Sequence, residues 1–407
     1  MYINLKRLKV IFNNIFLLIY LKIRKICLFN FILKVENKMR KNKKILFILN
    51  ADQIGNLFSS LKFSLCEAHK KKIKVENLIY VLPKNIVNGE FINLIKNNFK
   101  VYISDSLHKN LIHSPLIFSK NIYKIYDYNG WVDLHDLNFD FKFHNQAIGR
   151  VKDFLKSNNI NNFICISNRD NFFYKNKSDF TSYRNSSFES YESTINFLKK
   201  KYNYDSIRMG DYIDEKTINY TSLNNINFKK ILDIYLPYFC KFSINNSSGL
   251  ALIPYLFKKP QLICNAIPLG ELPSIHNGII LPKIIKNSDN NSILKINDLL
   301  RKKVFKINNM NQNSLRNDFF ITQDATRFQS DYYYVQHNLK IMDNSKEEIL
   351  NSTKELIMYN IEKKKLNASQ QRKQKIFKNL FPSNHPMRKT RAIISPKWLD
   401  INLDKLI

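Results

Sequence analysis

Residues 243–266 read SINNSSGLALIPYLFKKPQLICNA. The end of an apolar strand, KFSIN, runs into a polar loop, then an apolar helix-length run, then a second buried-type strand, QLICNA at Gln261–Ala266. Strand–helix–strand alternation is the signature of a parallel sheet covered by helices. The loop is Asn246-Ser247-Ser248-Gly249. Ser247 or Ser248 is expected to cap the helix that starts at about Gly249. Its first turn would offer N–H groups at the positive end of the helix, a seat for phosphate, and Gly249 would let a ligand approach the backbone.

The same alternation extends in both directions. Upstream lie the strands FICIS (Phe163–Ser167) and SIRMG (Ser206–Gly210), separated by a long polar loop and a helix over Phe188–Tyr202. Earlier still, ILFILN, NLIYVLP and KVYIS alternate with helix-like segments. Two α/β units in tandem follow. The boundaries expected are 1–42 for a basic amphipathic N-terminal segment, 43–155 and 156–340 for two Rossmann-like domains facing a cleft, and 341–407 for a helical C-terminal tail.

Doubly wound sheets bind ligands at the carboxyl ends of their strands. FICIS is followed by Asn168-Arg169-Asp170, SIRMG carries Arg208 and Gly210, and KFSIN leads to Asn246-Ser247-Ser248-Gly249. Arg169 and Arg208 are expected to give bidentate contacts to a diphosphate. The oversized loop after FICIS adds Tyr183-Arg184-Asn185, with Arg184 a further rim cation. Asp170 reads most simply as the carboxylate that orients Arg169, and alternatively as a base. Asp233, in the apolar run ILDIYL, reads as a buried carboxylate bonded to a loop. In the first domain Asp52-Gln53-Ile54-Gly55-Asn56 joins strand to helix, with Gly55 at the turn and Asp52 the candidate base.

Other chemistries lack their signatures. GxGxxG, GxxxxGK[ST], HExxH and a DxD pair at a strand end are all missing, so no metal and no bound cofactor is expected. The five cysteines form no CxxC pair and read as core hydrophobes. The net charge of +32 suggests an anionic partner, but Lys is scattered rather than gathered, and no nucleic-acid-binding motif occurs. The N-terminal segment mixes apolar runs with Lys and Arg. Its longest uncharged run, Val10–Leu21, is shorter than the roughly 20 residues of a spanning helix. It suits a helix on an anionic membrane surface, with packing on the protein's own body and a targeting signal as the other readings.

In that order, Arg169-Asp170, Tyr183-Arg184-Asn185, Ile207-Arg208-Met209-Gly210, Asp233-Ile234, Asn246-Ser247-Ser248-Gly249-Leu250, Ile280-Leu281-Pro282-Lys283 and Ile394-Ser395-Pro396-Lys397-Trp398-Leu399 resemble a family of bacterial glycosyltransferases from surface-polysaccharide gene clusters. The resemblance covers roughly residues 45–400. That family is similar in turn to the fucosyltransferase-like branch of GT-B enzymes. It implies a nucleotide-sugar donor as co-substrate and a glycan or lipid-linked glycan acceptor. It also implies a cytoplasmic enzyme at the inner membrane face, and places Arg169 and Ser247-Ser248 on the donor diphosphate. The fucosyltransferase pattern has His two residues before the Arg, where this chain has Ser167. A non-catalytic nucleotide- or glycan-binding protein on the same fold is the alternative.

Overall fold

The computed structural model describes residues 30–49, 53–112, 122–125, 139–170, 182–212, 217–269, 278–302, 331–383 and 385–407. Asp52 and residues 1–29 of the N-terminal segment lie outside them.

The first unit begins with helix α1, residues 30–41. It continues through β1 (Ile45–Leu49), α2 (Ile54–Lys70), β2 (Leu78–Leu82), α3 (Gly89–Lys96), β3 (Lys100–Ile103), α4 (Asp105–Ile112), β4 (Ile122–Ile125) and α5 (Asn145–Ser157). Its four strands are parallel in the order β3-β2-β1-β4. β1 and β2 are apolar at every position because both sheet faces are covered. Ile45, Phe47 and Leu49 face the core that holds α2 and α3. Leu46 and Ile48 face a second cluster with Ile32 and Met39 of α1. These two lie seven residues apart, two turns on one helix face. The described part of the N-terminal segment therefore packs on the protein's own body. No described helix is long and apolar enough to cross a membrane.

The second unit comprises β5 (Phe163–Ser167), α6 (Glu192–Tyr202), β6 (Asp205–Met209), α7 (Lys229–Phe239), β7 (Ser243–Asn245), α8 (Leu252–Leu256), β8 (Gln261–Ala266), β9 (Gly278–Pro282), β10 (Ile284–Asn287), α9 (Ile296–Arg301), α10 (Asp331–Gln336), β11 (Leu339–Met342), α11 (Lys346–Leu356), α12 (Ala368–Asn379), α13 (Pro386–Lys389), β12 (Ile393–Ile394) and α14 (Pro396–Leu406). Six strands form a parallel sheet ordered β12-β9-β8-β7-β5-β6, and β10 and β11 form a separate antiparallel pair. The alternation read from the sequence is thus two Rossmann-like sheets.

The C-terminal segment is more than a helical tail. It supplies β12 to the sheet edge, and Phe377, Trp398, Leu399 and Leu403 join the same core as Ile164, Ile244 and Leu262. Capping boxes start α11 (Ser345 with Glu348) and α12 (Asn367 with Gln370). The buried Glu355 carboxylate accepts from Ser395 Oγ and the Lys397 amide, fixing the start of α14. Cys66, Cys165, Cys240 and Cys264 are free and buried, as expected of core hydrophobes.

The two units are packed together. One apolar cluster joins β1, β2, α2 and α3 to Cys165, Ile207, α7 and α8 of the second sheet. Asn88 donates across this seam to the Lys230 carbonyl at 3.1 Å. The closest approach is backbone on backbone. A Cβ on Gly55 would stand 2.8 Å from Gly249 Cα, and one on Gly249 would stand 2.9 Å from Gly55 N.

Candidate functional site

Strand order locates the site. In the second sheet β6 lies on one side of β5, and β7 and its successors on the other. The order reverses between β5 and β7, and such a switch point opens a crevice at the strand ends. The residues there are Asn168-Arg169-Asp170 after β5 and Asn246–Gly249 after β7. The first sheet reverses between β1 and β4, beyond the end of β1. The Gly55–Gly249 contact brings the two switch points together.

Beneath the crevice is a polar lattice. Asn168 Nδ2 donates to Ser186 O at 2.7 Å, while its Oδ1 accepts from Ser186 Oγ at 2.6 Å and Asn246 Nδ2 at 3.1 Å. Asn246 Nδ2 also faces the carbonyls of Arg169 and Arg184. Ser167 is buried and donates to Asn245 Oδ1 at 2.6 Å. Ser247 Oγ accepts from Ile267 N at 3.0 Å and donates toward Asn265 O at 3.4 Å.

The cap expected at this loop is not made. Ser248 is the residue before a 3₁₀ turn, Gly249–Ala251, which leads into the short α8, and neither serine side chain caps it. Ser247 is turned into the protein to join β7 to the end of β8. Ser248 Oγ is buried without a hydrogen bond.

Arg208 also departs from expectation. β6 is buried and pairs with β5, so the side chain points into the unit and is 1% exposed. Its guanidinium carbon lies 3.7 Å from the Phe188 ring centre, 4.2 Å from that of Tyr212 and 5.5 Å from that of Tyr220. Its NH groups donate to Asp170 Oδ2 at 3.0 Å and Tyr220 OH at 3.3 Å. The planar, weakly hydrated guanidinium is the cation best suited to such an aromatic box. Asp170 is therefore the counter-charge of Arg208, where the sequence suggested Arg169. Arg208 is thereby closed to solvent, while Asp170 keeps part of its surface at the strand end.

Asp233 and Gly210 are structural. Gly210 has φ +87°, and its amide donates to Asp233 Oδ1 at 3.2 Å. Asp233 Oδ2 meets Lys229 Nζ at 3.1 Å, and Lys229 also reaches Asp211 at 2.9 Å. Burial pushes the Asp233 carboxyl above its ordinary range, against the pull of Lys229.

Arg184 is the cation the crevice presents. It sits in a 3₁₀ turn, Ser182–Arg184, whose backbone is tied on every side. The Asp331 carboxylate at the start of α10 accepts from the amides of Ser182 at 2.7 Å and Tyr183 at 2.6 Å. Lys283 Nζ donates to the carbonyls of Tyr183 at 3.0 Å and Asn185 at 2.8 Å. Tyr183 is buried against Tyr334, with ring centres 4.9 Å apart. Arg184 Nε donates to the Ser247 carbonyl at 2.8 Å, lying along the Ser-Ser-Gly loop. Half-buried, it meets no carboxylate among the described residues. A fixed cation without a counter-charge beside an open loop is what an anionic ligand needs.

Of the eight donor-site residues named from the sequence, Arg169, Ser248 and Gly249 lie at the β5 and β7 strand ends, and Arg184 is brought there by its bond to the Ser247 carbonyl. Arg208, Gly210, Asn246 and Ser247 support it from beneath. Lys283, Asp331 and Asn168 were not singled out for any role. Lys283 carried one signal, a charge directly after the buried strand GIILP. Across the seam, His108 Nε2 lies 2.9 Å from the carbonyl of Leu49, the last residue of β1. A carbonyl oxygen only accepts, so Nε2 is the donor of this pair.

No family model and no curated protein sequence matches the chain. Eleven chains of solved structures are similar to it, two of them as follows. One is a glycosyl transferase of family 9 from Veillonella parvula, at 10% identity and TM-score 0.43, covering 77% of this chain and 97% of that one. The other is the dodecameric iron-containing heptosyltransferase TibC in complex with ADP-D-beta-D-heptose, at 10% identity and TM-score 0.31, covering 56% of this chain and 60% of that one.

Proposed function

We propose that this chain is a glycosyltransferase that moves a sugar from a nucleotide-sugar donor to a surface-glycan acceptor, with the donor diphosphate at the β5/β7 switch point. The observation that carries the reading is Arg184, locked by its Nε to the Ser247 carbonyl and left without a carboxylate among the described residues. In the transfer, an acceptor hydroxyl oxygen bonds to the anomeric carbon, and the bond from that carbon to the diphosphate oxygen breaks. The electron pair leaves on the diphosphate, and the hydroxyl proton passes to a base. Arg184 and Arg169 meet the growing negative charge, and a donor fixed before charge develops needs no reorganisation. The acceptor would enter from the first unit, where Asp52 is the base the sequence offers and His108 the one the β1 end offers.

The test is binding and turnover with UDP-, GDP-, ADP- and dTDP-sugars, with Arg184→Ala beside the native chain. The expected result is thermal stabilisation by one nucleotide class, lost in the variant, with release of that nucleoside diphosphate when a glycan acceptor is added. No binding of any nucleotide at millimolar concentration overturns the reading. Binding without turnover on any acceptor would favour the non-catalytic alternative.

A further inference from the structure

Lys283 is a buried cation that the reaction outlined above does not use. It lies between β9 and β10, and its side chain is 2% exposed. Its ammonium has three donors and meets three acceptors: Tyr183 O at 3.0 Å, Asn185 O at 2.8 Å and Asp343 Oδ1 at 2.6 Å. The two carbonyls belong to the residues immediately before and after Arg184. Asp343, half exposed, follows β11, so the ammonium ties the turn to the β10–β11 pair as well as to the sheet.

An ion taken from water is costly unless every donor is met, and an apolar side chain would fill the same volume more cheaply. What the lysine adds is direction. Two carbonyls held by one ammonium fix the peptide plane that precedes Arg184 and the one that follows Asn185, on either side of the arginine. Arg184 Nε can then reach the Ser247 carbonyl, which holds the guanidinium beside the loop. Asp331 holds the preceding amides of the same turn, so the backbone is gripped from both ends.

We propose that Lys283 is a positioning residue for anion recognition. Acting through the turn 182–186, it holds the Arg184 guanidinium in the geometry that receives the donor diphosphate. The inference rests on the proposed function and specifies how that site is preorganised. It makes a claim that a merely structural lysine does not make: the affinity contributed by Lys283 should disappear when Arg184 is absent.

The experiment is a double-mutant cycle read by nucleoside diphosphate affinity. UDP, GDP, ADP and dTDP serve as probes, on the full chain carrying Lys283→Met, Arg184→Ala or both. The expected result is about a tenfold loss of affinity, and a matching rise in donor KM, for Lys283→Met in the native background. No further loss is expected in the Arg184→Ala background, although thermal stability falls in both. Lys283→Arg, which keeps a buried cation able to reach carbonyls, should recover part of the affinity. Multiplicative losses, or unchanged affinity in Lys283→Met, would overturn the positioning role while leaving the donor site intact. Native protein that binds none of the probes, or Arg184→Ala that binds as well as native, removes the site and the inference with it. Should Lys283→Met fail to fold, Asp343→Asn removes one arm of the same clamp from the half-exposed side. About threefold weaker binding is then expected, again only when Arg184 is present.

Discussion

Arg208 and Arg184 stand in adjoining parts of one sheet edge and do opposite work. Both follow or lie in segments that promise a rim cation, and both are fixed by hydrogen bonds. Arg208 has three aromatic rings and the Asp170 carboxylate around it and is closed to solvent. Arg184 has a carbonyl on one nitrogen and no carboxylate among the described residues. A guanidinium whose charge is met within the protein contributes to the fold. One whose charge is left over contributes to binding.

The sharpest way to break this contrast is to remove each cation. Arg208→Met should cost about 3–5 kcal/mol in chemical denaturation, because it leaves the Asp170 carboxylate facing an aromatic box. Arg184→Ala should cost under about 1 kcal/mol of stability. It should weaken nucleoside diphosphate binding about 10–100-fold, as expected for a charge-assisted contact of about 1.5–3 kcal/mol. Equal stability losses in the two variants would erase the distinction.

A third buried cation sharpens it further. Lys62 on α2 is 3% exposed, with its ammonium 5.4 Å from the Tyr255 ring centre, Lys258 and Cys66 nearby and no carboxylate partner among the described residues. Burial pulls its pKa down to about 8 from 10.5. Between those values the unfolded chain binds the proton more readily than the folded one, so stability rises with pH across this window and is lowest below it. Lys62→Met should add about 2–3 kcal/mol at pH 7 and flatten that rise. The rise should not vanish, because Lys378 is also held down to about 8 by burial. Denaturation midpoints at pH 7 and pH 10 decide this.

Two glycine substitutions separate the two loops. Gly249→Ala forces a Cβ to within 2.9 Å of Gly55 N, a backbone atom that cannot step aside. A loss of about 1–3 kcal/mol, together with weaker nucleotide binding, is expected. Gly210→Ala meets only the end of Leu250 at 2.6 Å but must hold φ +87°. It should cost about 1–2 kcal/mol in stability and leave binding nearly unchanged. Thermal shift with and without nucleotide reads both.

Much of the fold was legible in the sequence. The buried strands FICIS and QLICNA are apolar throughout because parallel strands are covered on both faces, and their predicted bounds coincide with β5 and β8. Strand ends were legible as well, because polar residues appear where the apolar run stops. The C-terminal segment misled in part. The two residues of β12 are too few for a period-2 pattern, so it read as helix alone.

The candidate site divides along the same line. The sequence by itself determined which residues reach the carboxyl edge of the second sheet, because one apolar run per strand fixes where each loop begins. It could not determine which way a rim side chain turns. Arg208 turns inward because Phe188, Tyr212 and Tyr220, distant from it in the chain or from one another, converge on its strand. Arg184 turns to the loop because Lys283 and Asp331, about 100 and 150 residues further on, grip its backbone. Contacts between such separated residues have no local pattern, and only the folded chain decides them.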